Sequence, residues 1–511
     1  MQKSRCRFLN RFLPLILLVA LGLTGCTVRE EHSPALWVVT EESESGGMNW
    51  QAEQIVKAFQ ADHPDAAVTL DILPTDSVQR ELRLKRLRTQ IMAGKGPDVY
   101  LLPSCNIITY PETSWRVSSY LTLKNQMEPL FSDPRQAMGN GVFLDISTYY
   151  DRDEALETEQ LQQTVMNAGV LDGARCLLPL RYDFPVLFLD TEGVRALGVE
   201  PESLTGSGMA LMEAALRLGQ PLFAGGAEPG FCRLGRGFSL LPPVLDYENG
   251  RVCLTETDLS SFLKTYQALE ILAAGNHDNR YGPSLITYVQ HEKEDPASTG
   301  DIPKMLEADI FPRDVPITVG ALSLAPCAAA IAQVEGRKFE MIPLRSADGA
   351  VVAEVTYYGA VGAGCENPDL AYDFLRRFLL EENQWERGRP LKRDKINNVE
   401  LQYHPIADGW PVRCRGWIEE DWKDLRNGVS GYRSTLEKSF RRSKQIMGTS
   451  LTEEDIPLLD AQIERVSFGN TLEQQLAALL RELEEGEKTD AELDTLAAQF
   501  LRELKWQLME G

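Results

Sequence analysis

Catalytic side-chain types are plentiful in this chain, but few stand at spacings that do chemistry. The five histidines, His32, His63, His277, His291 and His404, lie far apart. His291-Glu292-Lys293-Glu294-Asp295 begins like H-E-x-x-H, where two histidines one helical turn apart hold zinc beside a glutamate base. Its fifth position is Asp, and Pro296 follows at once, so helical ligand geometry is not expected. Ser261-Phe262-Leu263-Lys264 fits S-x-x-K, the pair that opens a penicillin-binding active site, yet no S-D-N or K-T-G follows. Neither G-x-S-x-G nor a Walker loop occurs. Paired carboxylates for glycoside hydrolysis have no spacing to test, since any of 75 acidic residues could meet in space. The expectation is no catalytic set, no metal and no cofactor.

One residue does stand in a reactive context. Lys3, Arg5, Arg7 and Arg11 form a basic start, and Phe12 to Leu23 follows as an apolar run broken only by Pro14 and Gly22. A dozen residues at ~1.5 Å each fall short of a hydrocarbon core of roughly 30 Å, so the run fits an export signal and not a span. Leu23-Thr24-Gly25-Cys26 closes it and resembles the bacterial lipobox, in which the cysteine thiol is acylated (with palmitate or a similar chain) before cleavage. The expectation is a signal peptide over 1–25, lipid on Cys26, a polar tether over 26–34 and a body on the extracytoplasmic side of the cell membrane. Two or more acyl chains would make the anchor stable. Cleavage takes away four basic side chains and no acidic one, moving the formal charge from −23 to −27. So acidic a body is repelled by nucleic acid. Seven cysteines then remain, scattered and without a C-x-x-C pair, and read as buried small hydrophobes in preference to a disulfide framework.

The elements behind these residues alternate. Leu36-Trp37-Val38-Val39 reads as a buried strand, and Ala52, Ile55, Val56 and Phe59 as one helix face entered near Asn49. Val68, Leu70 and Ile72 read as a second strand. A helix turning Val78, Leu82, Leu87 and Ile91 inward precedes a third strand at Asp98 to Leu102. Such β-α-β-α-β order predicts a mostly parallel sheet, with ligands beyond the carboxyl ends of the strands. Asn367-Pro368 opens a helix with Leu370, Ala371, Phe374, Leu375 and Phe378 on one face. Thr489-Asp490-Ala491-Glu492 has capping-box spacing ahead of an apolar stripe from Leu493 to Leu508, which is expected to pack on its own domain rather than on a coiled-coil partner.

Ile91-Met92-Ala93-Gly94-Lys95-Gly96-Pro97-Asp98-Val99, following Phe59 and Pro64, resembles the first hundred residues of ABC-transporter extracellular solute-binding proteins, the group of the maltodextrin-binding protein. Leu178-Pro179 to Glu192 with Leu197-Gly198 resembles that family's first passage between lobes, and Phe339 to Leu344 its second. Gly359, Asn367-Pro368, Ala371, Phe374-Leu375 and Gln384 resemble its "n-P-x-x-A-x-x-F-L" helix. Two departures mark a divergent member: Phe188-Leu189-Asp190-Thr191 replaces the usual Tyr-Asn-Lys, and no Trp-x-Glu-Leu follows near Ser203-Leu204.

The resemblance implies an α/β, two-lobed periplasmic-binding-protein-like fold with a helical C-terminal extension. Residues 35–184 with 345–383 would form one lobe and 190–338 with 384–511 the other. It implies a monomeric binder, not an enzyme, that delivers a small-molecule solute to ABC permease subunits. A sugar needs flat apolar faces plus a few fixed polar groups. The loops at the strand ends offer Glu42, Ser43 and Trp50, then Ser104 and Tyr110, then Tyr182 and Asp183, and Tyr357 and Tyr358 before Gly359. Two other readings stay open at this point: a lipoprotein enzyme acting on glycans, and a binding lipoprotein feeding a sensor.

Overall fold

The structure, a computed structural model, describes residues 35–41, 47–104, 107–108, 126–200, 204, 208–219, 223–225, 245–246, 251–252, 254–275, 316–322, 339–345, 349–384, 392–396, 399–403, 410–413, 461–468, 479, 483 and 487–510. Cys26, Glu42, Ser43, Tyr110 and the segment from His291 to Asp295 lie outside them.

The first strand, β1 (Ala35–Glu41), buries Leu36, Val38 and Val39. Helix α1 (Gly47–Asp62) turns Ala52, Ile55 and Phe59 inward as their spacing demands, and it starts two residues ahead of the expected cap at Asn49. Strand β2 (Ala67–Leu73) leads to α2 (Ser77–Met92), capped by the Asp76 carboxylate, which accepts the Gln79 N–H at 2.9 Å. Strand β3 (Val99–Pro103) completes the unit.

The structure keeps Leu87 and Ile91 on the inner face of α2, as expected, and corrects Val78 and Leu82. Arg80, Leu84 and Leu87 are buried, while Val78 and Leu82 are 65% and 66% exposed. The cause is an ion pair: Arg80 reaches both Glu41 carboxylate oxygens at 2.6 and 2.7 Å, and burying it rolls Val78 and Leu82 out to solvent.

Further along come β4 (Leu178–Asp183), β5 (Pro185–Asp190), α3 (Gly208–Leu218), β6 (Phe223–Gly225) and α4 (Glu256–Gly275). Then follow β7 (Ile317–Ala321), β8 (Phe339–Pro343), β9 (Val351–Val361), α5 (Pro368–Arg376), β10 (Trp410–Pro411), β11 (Ile463–Phe468) and α6 (Asp490–Glu510). The strands make one sheet in the order β10-β4-β9-β3-β1-β2, with β11 also paired to β9, and a second in the order β6-β7-β5-β8. β1 runs parallel to β2 and β3, as expected, but β9 is antiparallel to β3 and β4, so the first sheet is mixed. Trp410–Pro411 and Ile463–Phe468 join this first sheet, although 384–511 was expected in the other lobe. Backbone pairing, which leaves no residue spacing to read, put them there.

Each sheet has its own hydrophobic core, giving a two-lobed α/β molecule. The chain passes from the first sheet to the second between β4 and β5, with only Phe184 between them, and returns between β8 and β9. Strand β5 serves both cores: Val186 and Phe188 belong to the first, Leu187 and Leu189 to the second.

Close packing explains the family-like stretches. A Cβ on Gly359 would lie 2.2 Å from Leu375 Cδ1, so glycine on β9 lets α5 seat Leu375 on the sheet. Gly94 takes φ +67°, which turns the chain from α2 into β3, and Asp98 then accepts the Trp37 N–H at 2.8 Å. At the C-terminal end Glu492 and Thr489 close the expected capping box. Leu493, Ala497, Leu501 and Leu504 are buried in the second core, where α6 lies against α4, as expected for a helix packed on its own domain. Lys264 of the S-x-x-K match pairs with Asp494 of α6 at 2.7 Å. Among the described residues no helix is long and apolar enough to cross a membrane.

Candidate functional site

Strands β1, β3 and β4 run the same way, so their carboxyl ends share one edge with the first half of β9, which runs against them. That edge collects buried polar side chains that an ordinary core would avoid. Thr40 and Glu41 end β1, Ser104 follows β3, Arg181 and Asp183 end β4, and Glu354 lies opposite Asp183 on β9. All six are at most 3% exposed. The edge is also where the chain leaves for the second sheet, one residue beyond Asp183.

Hydrogen bonds fix the group. The Ser104 N–H donates to the Thr356 carbonyl at 3.0 Å. The Tyr357 hydroxyl lies 3.4 Å from Thr40 Oγ1, bridging β9 to β1 across β3. Arg181 donates to Gln51 Oε1 at 3.1 Å, to the Gln384 carbonyl at 3.0 Å and to its neighbour's carbonyl at 2.9 Å. Gln384 Oε1 in turn accepts the Arg413 N–H at 3.2 Å. Asp183 Oδ1 accepts the Phe184 N–H at 3.0 Å, holding the carboxylate at the start of the passage between sheets. Burial pushes the Glu41 carboxyl above its ordinary range, and the hydrogen bond and charge of Arg80 offset only part of that.

Five of the expected ligand residues are thereby brought together on three adjacent strands: Ser104, Tyr357 and Tyr358, and Tyr182 and Asp183. The three rings are 0–2% exposed in this structure. Tyr358 meets Phe468 edge-on at 6.0 Å, and Tyr182 pairs with Val355 and Trp410 in the sheet. A register shift on β9 around Tyr357 lets the adjacent tyrosines serve different neighbours. Trp50 sits within α1, not in the loop before it, and its side chain lies outside the described part. Thr40, Glu41, Gln51, Arg181 and Glu354 are part of the group but were missed as site residues. For Arg181 and Glu354 the one signal was a charged side chain amid strongly apolar neighbours, as Arg181 and Asp183 stand in Leu178-Pro179-Leu180-Arg181-Tyr182-Asp183-Phe184; Gln51, between Trp50 and Ala52 in a polar stretch, carried none.

Reactive chemistry is not evident in what can be described. Cys176 and Cys365 are free thiols. Burial raises both, Cys365 to about 12 despite the Asn367 N–H that favours its thiolate, so both stay protonated at neutral pH. No group of three or more His, Cys, Asp or Glu among the described residues is placed to hold a metal ion. The arrangement offers rigid donors, acceptors and aromatic edges, the equipment of a binding site.

No protein-family model matches the chain, and no curated protein does. Solved structures do match. The designed cysteine esterase ECH19 is 12% identical with a TM-score of 0.51, covering 94% of this chain and 99% of its own. An extracellular solute-binding protein of family 1 from Alicyclobacillus acidocaldarius is 13% identical with a TM-score of 0.47, covering 94% and 99%. The galacto-N-biose-/lacto-N-biose I-binding protein of an ABC transporter from Bifidobacterium longum is 14% identical with a TM-score of 0.47, covering 94% and 98%. Identities this low speak to fold alone: the chain is a two-lobed α/β protein, each lobe with its own sheet and core.

Proposed function

We propose that this chain is the lipid-anchored, extracytoplasmic solute-binding component of an ABC importer, and that it holds a carbohydrate between its lobes. The observation that carries the reading is the polar edge at the carboxyl ends of β1, β3 and β4. Stability alone would favour apolar residues there, because buried charges gain little over well-packed hydrophobes. Carboxyl ends of strands in open α/β sheets are where ligands bind. Glycan hydroxyls are read by such fixed donors and acceptors, and sugar C–H faces by aromatic rings.

In this reading residues 35–184 with 345–383, joined by β10 and β11, form one lobe, and 190–338 with α6 form the other. Glu42, Ser43, Trp50 and Tyr110 meet the solute, Ser104, Tyr182, Asp183, Tyr357 and Tyr358 form the buried edge behind them, and permease subunits receive the solute from the closed form. The chain carries out no covalent step. Its lipid, on Cys26, keeps it near the permease and raises its effective concentration there.

A thermal-shift screen across mono- and oligosaccharides, peptides and metal ions tests the reading. A saccharide should raise the melting temperature and remain chemically intact. Trp50→Ala and Tyr182→Ala should each weaken its binding by roughly 1–3 kcal/mol, the scale of one buried aromatic contact. Turnover of a glycan would replace the binder with an enzyme. Unchanged affinity in both variants would remove the site from this edge.

A further inference from the structure

Helix α2 carries two apolar faces, and only one of them is used. Arg80, Leu84 and Leu87 face the core. On the opposite side Val78, Leu82, Lys85, Thr89 and Met92 recur at alternating steps of four and three, a single stripe along the helix. Val78 is 65%, Leu82 66% and Met92 82% exposed. Half of the six large exposed hydrophobics among the described residues thus lie on this one stripe.

The flanks of the stripe are basic. Arg80, Arg83 and Arg88 engage Glu41, Asp71 and Glu128. Lys85, Arg86 and Lys95 are exposed and have no carboxylate partner among the described residues. Glu81 is the only acidic side chain on the helix, in a chain whose formal charge is −23. A positive, apolar strip on so acidic a body fits a negatively charged apolar boundary.

The way the chain enters the fold brings such a boundary close. The Asp98 N–H donates to the Trp37 carbonyl at 2.9 Å, and Asp98 accepts the Trp37 N–H at 2.8 Å. The turn after α2 is therefore fastened to the start of β1, at the sheet edge where the tether arrives. Nine residues, 26–34, extend at most ~30 Å at ~3.3–3.6 Å each. The sixteen residues of α2 measure ~24 Å.

We propose that the outward face of α2 rests on anionic phospholipid head groups of the membrane that holds the lipid on Cys26, a proposal that rests on the lipid-anchor reading. Val78, Leu82 and Met92 enter the head-group boundary while Lys85, Arg86 and Lys95 meet phosphates. Three free cations would recruit an acidic body poorly from solution. On a short tether they need only orient it, because the effective concentration is already high.

The test is chemical footprinting of the mature lipoprotein on vesicles of phosphatidylcholine, with and without phosphatidylglycerol. Acylation of Lys85 and Lys95 and oxidation of Met92 are read by mass spectrometry, with Lys505 of α6 as the exposed control. On anionic vesicles labelling at the three α2 positions should fall several-fold and recover as salt is raised, and labelling at Met92 and Lys95 should recover in a Lys85→Glu, Arg86→Glu double variant, while Lys505 is unchanged. Equal labelling on both kinds of vesicle, with the protein floating on each, overturns the docking and leaves the anchor standing. Protein that fails to float with either kind overturns the anchor and the docking with it. Protection that appears without vesicles as protein concentration rises makes a second copy the occupant and also overturns the proposal.

Discussion

At the scale of single residues, the polar edge is held by charges taken out of water. Glu41 and Arg80 are both almost wholly buried and doubly hydrogen-bonded. Removing one partner strands the other, so Glu41→Ala or Arg80→Ala should each lower unfolding free energy by about 3–5 kcal/mol, while replacing both with methionine should recover much of the loss. Urea melts of the three variants would read this directly. Asp373 makes a pH prediction. Burial opposes its ionisation, but hydrogen bonds from Arg376 and His63 and the charges of Arg376 and Arg377 outweigh that and hold the carboxyl below 3.8. Its folded value is the lower one, so its contribution to stability is full above the unfolded value and is lost as pH falls through the folded value. Asp373→Asn should therefore flatten the acid side of the stability–pH curve.

At the scale of elements, α2 makes the sharpest claim. Leu84→Ala should cost about 2–5 kcal/mol as a core truncation. Leu82→Ser should stay within about 0.5 kcal/mol, as exposed substitutions do. The opposite ranking in denaturant melts would restore the inner face first expected for this helix. The misreading is instructive. Apolar spacing located β1, α1, β3, α5 and α6 because each of them buries its hydrophobes, and it located β2 by alternation although Val68 and Leu70 are half-buried and Ile72 exposed. On α2 it placed Leu87 and Ile91 but failed on Val78 and Leu82, because the first turns of that helix spend their inner face on an arginine, and no count of hydrophobes anticipates a guanidinium drawn in by a carboxylate one strand away. The site divides the same way. Ser104 was expected from the rule that ligands gather at strand ends, and Tyr182, Asp183 and Tyr357 from their places before the first passage and before Gly359 in the resemblance. Arg181 and Glu354 were not, since one polar side chain in an apolar stretch has no period, and Gln51 lies in a helix whose neighbours are mostly polar. The placement of β10 and β11 was illegible for another reason: pairing across more than fifty residues of sequence is a backbone matter.

At the scale of the whole molecule, the two lobes are joined by short passages, and in the proposed binder closure on a solute is a rotation about them. Small-angle scattering should show a smaller radius of gyration when a confirmed ligand saturates the protein. An unchanged radius would mean a site that fills without rotation. Strand β5 narrows where bending can occur, since its alternate side chains are embedded in both cores and Phe184 before it is buried in the first.

The same interleaving governs how the molecule comes into being. β9, at the centre of the first sheet, is made about 250 residues after the β3 edge it covers, and β11, which lines up beside it, a further hundred later. The second core likewise awaits α6 near the end of the chain. Neither lobe is a finished folding unit while synthesis is under way, and contacts this distant in sequence form slowly. An edge like that of β3 stays open for most of that time, inviting wrong strands and proteases. A chain cut short before β9 is therefore not a protein with one good lobe. It is a chain with two open cores and a ready substrate for proteases.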